Sequence, residues 1–270
     1  MANFRLDGRV AVVTGGNGGI GLGIAAALGT AGAGIAVWAR NEGKTARALT
    51  RLLDAGVRAV GIGCDVTDED DVRRASAATV ERLGRLDVCV ANAGTPQRSP
   101  FLGTTLEAWN QGIASNLSGT FLCFRETGLR MVAAGEGGAL IAVSSVASRH
   151  GAPLMHTYAA AKAGLGGLVR SIAVELAPQH IRCNLLTPGF TQNDRLRPGT
   201  IDSELDGEVT ASIPAGRWGT PDDIGAAAVY LADPSLSYHT GAEVVVDGAY
   251  SIMPPYLAVR ATHAEPRGTL

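Results

Sequence analysis

The sequence predicts an α/β fold: a single doubly wound domain in which a seven-stranded parallel sheet carries helices on both faces. Three observations predict it. Short apolar, β-branched runs alternate with longer Ala- and Leu-rich runs of helix length, as in a sheet buried on both sides. A glycine-rich turn directly follows the first apolar run. No linker interrupts the 270 residues, a length that one large α/β domain fills.

The strands are expected at 10–14, 35–39, 59–64, 86–91, 139–144, 181–187 and 243–246. Helices are expected between them at 19–31, 42–55, 69–83, 106–133, 156–177 and 221–231. The last of these has a clear start, with Thr220 as cap and Pro221 in the first turn. Residues 190–219 break the rhythm with Pro198-Gly199, Asp206-Gly207 and Pro214. Such an irregular insertion is usually a binding loop or lid, so it is the expected substrate loop. The domain is expected to span 1–249. Residues 250–270 hold Pro254-Pro255 and Pro266 without periodicity and read as a partly extended or disordered tail.

Composition excludes several classes. Hydrophobic residues make up 46% and charged residues 18%, enough for a core and too apolar for disorder. A net charge of −2 offers no basic field for nucleic acid or an anionic membrane. The N-terminus lacks the apolar core of a signal peptide, and no run reaches the ~20 apolar residues of a membrane helix. Cys64, Cys89, Cys123 and Cys183 are scattered in apolar runs. They read as buried thiols of a cytoplasmic protein, with no disulfide or zinc-ligand spacing and no metal site.

The first strand runs into Thr14-Gly15-Gly16-Asn17-Gly18-Gly19-Ile20-Gly21, and a helix follows. A strand, a glycine turn and a helix N-terminus aim backbone N–H groups at one point, where a pyrophosphate fits. The segment reads as a Rossmann-type dinucleotide loop, with Gly15, Asn17, Gly19, Ile20 and Gly21 as expected contacts; the alternative reading is a tight strand–helix connection. The second strand ends Ala39-Arg40-Asn41. An acid there would hold a ribose 2′-hydroxyl; Arg40 can instead clamp a 2′-phosphate. NADP is therefore favoured and NAD remains open, since Arg40 can equally be a solvated helix-start arginine. Asp65 and Val66 follow the third strand, where Asp65 can accept from an adenine amino group or cap the next helix. Asn92-Ala93-Gly94 close the fourth strand with small residues that let a cofactor lie flat.

Tyr158 and Lys162 are four apart on an expected helix, hence on one face. Among 23 Lys and Arg, only Lys44 and Lys162 are lysine. A compact ammonium suits a place beside a phenol where a planar guanidinium does not fit. Ser145 ends the fifth strand. Lowering a tyrosine from about 10 to about 7 takes roughly 4 kcal/mol. One cation at about 4 Å supplies that at an effective dielectric near 20. The phenol is then expected near working pH as general acid or base, with Ser145 donating to the carbonyl oxygen.

Taken together, Thr14-Gly15…Gly19-Ile20-Gly21, Asp65, Asn92-Ala93-Gly94, Asn116, Ser145, Tyr158…Lys162 and Pro188-Gly189 resemble the short-chain dehydrogenase/reductase family over residues 5–249. The resemblance implies an NAD(P)-dependent oxidoreductase acting on a ketone or secondary alcohol. It implies that Asn116 helps hold a water linking Lys162 to solvent, that Pro188-Gly189 shape the nicotinamide site, and that the chain forms a homotetramer. Three features depart from the family. Gly18 stands where NADP-dependent members often carry a basic residue. Thr191 and Asn193 replace the usual aliphatic residue and threonine after Pro188-Gly189-Phe190, and Thr191 remains a candidate contact for the cofactor. The tail is longer than the family core. Thr95, Gln97, His150, Met155, His156, Phe190 and Arg195 are candidates for the substrate cleft. Aliphatic ketones, 3-oxoacyl thioesters, steroids and sugar acids stay open as substrates. A nucleotide-sensing protein without catalysis would lack Ser, Tyr or Lys, and a sugar-nucleotide epimerase usually adds a larger C-terminal domain.

Overall fold

The computed structural model describes residues 4–193 and 202–253. Seven strands form: β1 (Val10–Thr14), β2 (Gly34–Ala39), β3 (Ala59–Gly63), β4 (Val88–Ala91), β5 (Gly138–Val143), β6 (Ile181–Pro188) and β7 (Glu243–Val246). All pair in parallel, in the order β3-β2-β1-β4-β5-β6-β7. Every strand therefore ends on the same edge, and the order reverses between β1 and β4, where α/β sheets bind ligands.

The period of two divides each inner strand between two cores. Val10 and Val12 join Leu140 and Cys183 on one face. Ala11 and Val13 join Val90 and Ile141 on the other. Of the eight α-helices among the described residues, α3 (Glu69–Leu83), α5 (Gly119–Ala134) and α6 (His156–Leu176) cover the first face through Val72, Phe124 and Leu165. Three more, α1 (Gly19–Thr30), α2 (Glu42–Asp54) and α8 (Pro221–Ala232), cover the second through Ile24, Leu52 and Ile224. Each fully buried side chain of this size contributes about 1.5–3 kcal/mol. Thr220 and Asp223 form a reciprocal cap at α8 with Pro221 in the first turn, as expected.

Two expectations need correction. The helix expected over 106–133 is two helices, α4 (Leu106–Ile113) and α5, joined by a π-turn at Ala114–Ser118. The insert widens the turn around buried Asn116, whose side chain bonds the loop after β4. The substrate loop is not wholly irregular: α7 (Ser203–Ala211) forms within it, capped by Asp202. Arg195 and the tail from residue 254 onward lie outside the described residues. The described start of the tail is a short 3-10 turn, Tyr250–Ile252.

Candidate active site

At the glycine loop, the backbone occupies the space that side chains would need. Gly15 has φ +64°, a left-handed conformation. A Cβ on Gly21 would collide with the Gly15 carbonyl and lie 2.6 Å from Asn92 Nδ2. Gly18 offers α1 no side-chain cap, and its first turn holds no acid. The helix N-terminus thus presents free N–H groups toward an anion. Thr14 Oγ1 accepts from Asn92 N at 3.0 Å and Ala93 N at 2.8 Å, joining the ends of β1 and β4. Asn92 Nδ2 donates to Thr14 O at 2.9 Å. Asn17 Nδ2 donates to Thr45 Oγ1 at 3.1 Å, so it braces the loop against α2. Ile20 packs on the core beneath. This cradle fits a dinucleotide pyrophosphate.

At the end of β2, Arg40 is exposed and its Nη1 lies 3.3 Å from Asp65 Oδ2. The sequence suggested separate tasks for these two residues, and the fold makes them a pair. Asp65 also accepts from Thr67 N at 3.0 Å and Thr67 Oγ1 at 2.8 Å. Burial tends to raise its carboxyl, yet these bonds and Arg40 bring it below the usual range. Asp68, not Asp65, caps α3 by accepting from Asp71 N at 2.8 Å. Asn41 caps α2 by accepting from Lys44 N at 2.9 Å. Val66 packs beside Gly119 at the start of α5.

Ser145, Tyr158 and Lys162 converge beyond the end of β5. Lys162 is 3% exposed, and its Nζ donates to Val143 O at 2.8 Å. That nitrogen lies 5.6 Å from the centre of the Tyr158 ring. Burial lowers the Lys162 ammonium to about 8. Tyr158 is half-buried, and its burial raises the phenol, against a smaller opposing pull from its hydrogen bond with Ser145. This corrects the expected downward shift: desolvation of the phenolate prevails where Lys162 is turned toward a strand carbonyl. Ser144 Oγ donates to Lys162 O at 3.2 Å, seating α6 on the strand end.

Asn116 is 1% exposed; its Nδ2 donates to Gly112 O at 3.0 Å and Thr95 O at 3.2 Å, and its Oδ1 accepts from Thr95 N at 3.1 Å. The amide thereby ties the loop after Gly94 to the π-turn. A Cβ on Gly94 would sit 2.5 Å from Asn116 Oδ1 and 3.5 Å from Lys162 Nζ. The loop, Asn116 and Lys162 are therefore one packed unit.

Pro188 ends β6. Gly189 lies against Asp247, which leaves 2.6 Å for any Cβ. Thr191 is buried, and its Oγ1 donates back to Gly189 O at 3.1 Å. Asn193 reaches Gly19, with its Cβ 3.1 Å from where a Gly19 Cβ would stand. The start of the substrate loop thus lies over the glycine loop. Of the cleft candidates, His156 packs among rings: it stacks on Trp109 at 6.5 Å and meets the Phe101 edge at 5.3 Å. Trp218 and Tyr250, neither of them a cleft candidate from the sequence, close on Phe190 at 5.7 and 5.1 Å. The only available signal was an aromatic directly after Val246-Asp247-Gly248-Ala249.

The four cysteines are buried with thiols pushed up by burial, which leaves them poor nucleophiles. Among the described residues no cluster of His, Cys, Asp or Glu could hold a metal ion, and no helix is long and apolar enough to cross a membrane. A cleft of about 170 Å³ at the opposite sheet edge is lined by Arg9, Asp87, Glu136 and Arg182. Arg9 bonds Asp87 at 2.9 Å and Arg182 bonds Leu231 O at 2.7 Å, so this charge braces the fold, far from Ser145 and Tyr158.

A family model described as Enoyl-(Acyl carrier protein) reductase matches residues 15–251. D-threitol dehydrogenase of Mycolicibacterium smegmatis is 38% identical over 93% of this chain and 95% of its own. A putative short-chain alcohol dehydrogenase from Sinorhizobium meliloti superposes with a TM-score of 0.87 at 36% identity, covering 92% of this chain and 98% of that one. A gluconate 5-dehydrogenase from Burkholderia cenocepacia, solved in complex with NADP and tartrate, gives a TM-score of 0.87 at 33% identity over 93% and 98%. Likeness that runs from the glycine loop past the last strand, with relatives matched over nearly their full length, makes this chain a member of the short-chain dehydrogenase/reductase family, an NAD(P)-dependent oxidoreductase that interconverts alcohols and ketones.

Proposed function

We propose that Tyr158 is the general acid and base of this oxidoreductase, with Ser145 holding the substrate oxygen and Lys162 the ribose side of the cofactor. The observation that carries this is the meeting of Ser145, Tyr158 and buried Lys162 at one strand end. When bound, the nicotinamide gives or accepts the hydride. In reduction, Ser145 donates to the carbonyl oxygen as charge grows there, and Tyr158 gives the proton that completes the alcohol. A phenol raised by burial keeps that proton at neutral pH. In oxidation Tyr158 takes the hydroxyl proton, so that direction is favoured at alkaline pH. Asn116 positions the loop carrying Thr95 and, with Lys162, the route by which the proton reaches solvent.

Gly15, Asn17, Gly19, Ile20 and Gly21 receive the pyrophosphate in this reading. Asp65, Val66, Asn92, Ala93 and Gly94 line the adenine and ribose side, and Pro188, Gly189 and Thr191 the nicotinamide side. Arg40 favours NADP, and the gluconate 5-dehydrogenase was solved with NADP. NAD is the second reading, because Asp65 sits 3.3 Å from Arg40 and offsets its charge. The substrate is a secondary alcohol of a polyol or sugar acid, the class named for the threitol and gluconate enzymes.

Residues 1–249 act as one catalytic domain with 190–219 as the substrate loop, in a cytoplasmic homotetramer. Exposed Phe121, Leu129 and Val132 on α5 and Val174 on α6 give such an assembly apolar surface to cover. The test is oxidation of polyols and sugar acids with NADP and NAD, with Tyr158→Phe as control. A loss of about 1000-fold or more in kcat, with cofactor binding retained, is expected. Undiminished turnover by Tyr158→Phe would sink the mechanism.

A further inference from the structure

Beyond the reacting centre, the ends of β5, β6 and β7 bring together four rings from separate segments. His150 comes five residues after Ser145, Phe190 directly after Gly189, Trp218 from the end of the substrate loop, and Tyr250 from beyond β7. Tyr250 meets His150 edge-on at 5.8 Å and Phe190 edge-on at 5.1 Å; Phe190 meets Trp218 at 5.7 Å.

The wall is held rigidly. Asp247 accepts from Ala249 N at 2.9 Å and Ser251 N at 2.8 Å, and Ala249 takes φ +70°, turning the chain back over the sheet edge. The same Asp247 is the surface on which Gly189 packs. Arg149, beside His150, bonds Glu243 of β7 at 2.6 and 3.2 Å. Ala215 N donates to Gly248 O at 3.1 Å, tying the end of the substrate loop to the same turn.

Phe190 and buried Trp218 supply apolar faces to this wall. Tyr250 is half-buried and His150 exposed. Among the described residues neither the Tyr250 hydroxyl nor the His150 imidazole makes a hydrogen bond. Sites that recognise small ligands combine such apolar faces with a few positioned polar groups. We infer that Tyr250 and His150 form a subsite that hydrogen-bonds hydroxyl groups on the substrate carbons beyond the one oxidised, selecting polyhydroxylated substrates over simple alcohols. This rests on the polyol or sugar-acid reading above and names the residues that enforce it.

The test compares threitol with 2-butanol, which share a four-carbon chain, in wild type, Tyr250→Phe and His150→Ala. Tyr250→Phe keeps the ring and its contacts and removes only the hydroxyl. The ratio of kcat/KM for threitol over 2-butanol is expected to fall about tenfold, the worth of one neutral hydrogen bond. Binding of threitol to the NADPH complex, followed by tryptophan fluorescence because Trp218 lines the wall, is expected to weaken by a similar factor. An unchanged ratio and unchanged binding in both variants would overturn the subsite, as would a wild type that does not bind threitol. Tyr250-dependent binding without turnover of any polyol would leave the subsite standing and remove the proposed substrate class.

Discussion

The two ends of the sheet edge present different kinds of surface. On the side of β1–β3, the surface is backbone: left-handed Gly15, the space denied to a Cβ at Gly21, and the uncapped start of α1. On the side of β5–β7, it is side chains drawn from segments a hundred residues apart, such as His150 and Tyr250. A backbone cradle suits a pyrophosphate that is the same in every dinucleotide. A wall of side chains can be changed one residue at a time to choose a substrate without disturbing the cradle. Relatives matched over nearly the full chain include both a threitol and a gluconate enzyme.

The contrast is most sharply broken at Gly21. Gly21→Ala places a methyl against the Gly15 carbonyl and Asn92. NADPH and NADH are both expected to bind about 100-fold more weakly, roughly 2.7 kcal/mol, by fluorescence titration. Binding within twofold of wild type would show that the cradle yields, and that backbone shape does not govern this half.

A smaller effect is expected at Arg40, the one side chain proposed to choose the cofactor. Arg40→Ala should cut the NADPH-over-NADH preference about tenfold, near 1.4 kcal/mol. The ratio of the two dissociation constants measures it. A constant ratio would transfer the choice to the backbone around Gly18.

The smallest net effect, a change of a few degrees in melting, concerns Lys162, where the two halves meet. In the unfolded chain this lysine holds its proton up to its ordinary value of 10.5; buried, it releases it near 8. Between those values the unfolded chain binds more protons, so wild type gains stability as pH rises through that window. Below pH 8 the full cost of burying the charge applies, about 3 kcal/mol before the lost bond to Val143 is counted. Lys162→Met should therefore melt a few degrees higher than wild type at pH 7 while losing activity, with the margin shrinking by pH 10. Thermal melts across that range would show it, and a margin independent of pH would contradict the buried charge.

Much of this was legible in the residues. The alternation of strand and helix runs located all seven strands to within two residues at every end, helped by the apolar runs of the inner strands β1, β2, β4 and β5, which are buried on both faces. The glycine loop was legible for a similar reason: a position that admits no Cβ leaves a glycine behind. Tyr158 and Lys162 stood out because four residues make one helical turn. The π-turn at Asn116 was not legible, since the helical pattern continues through it and only the bonds to Thr95 and Gly112 favour the wider turn. Nor was the helix at Ser203–Ala211, which is short and carries Gly207, a poor helix former, in its middle.

Local chemistry thus specified the sheet, the cradle and the Tyr158–Lys162 pair, since each depends on spacing within one segment. Folding alone decided what depends on distant segments meeting. It paired Arg40 with Asp65, moved His156 onto Trp109 and set Tyr250 against His150. It also reversed the expected direction for Tyr158, because desolvation is a property of everything packed around a group and not of its neighbours in the chain.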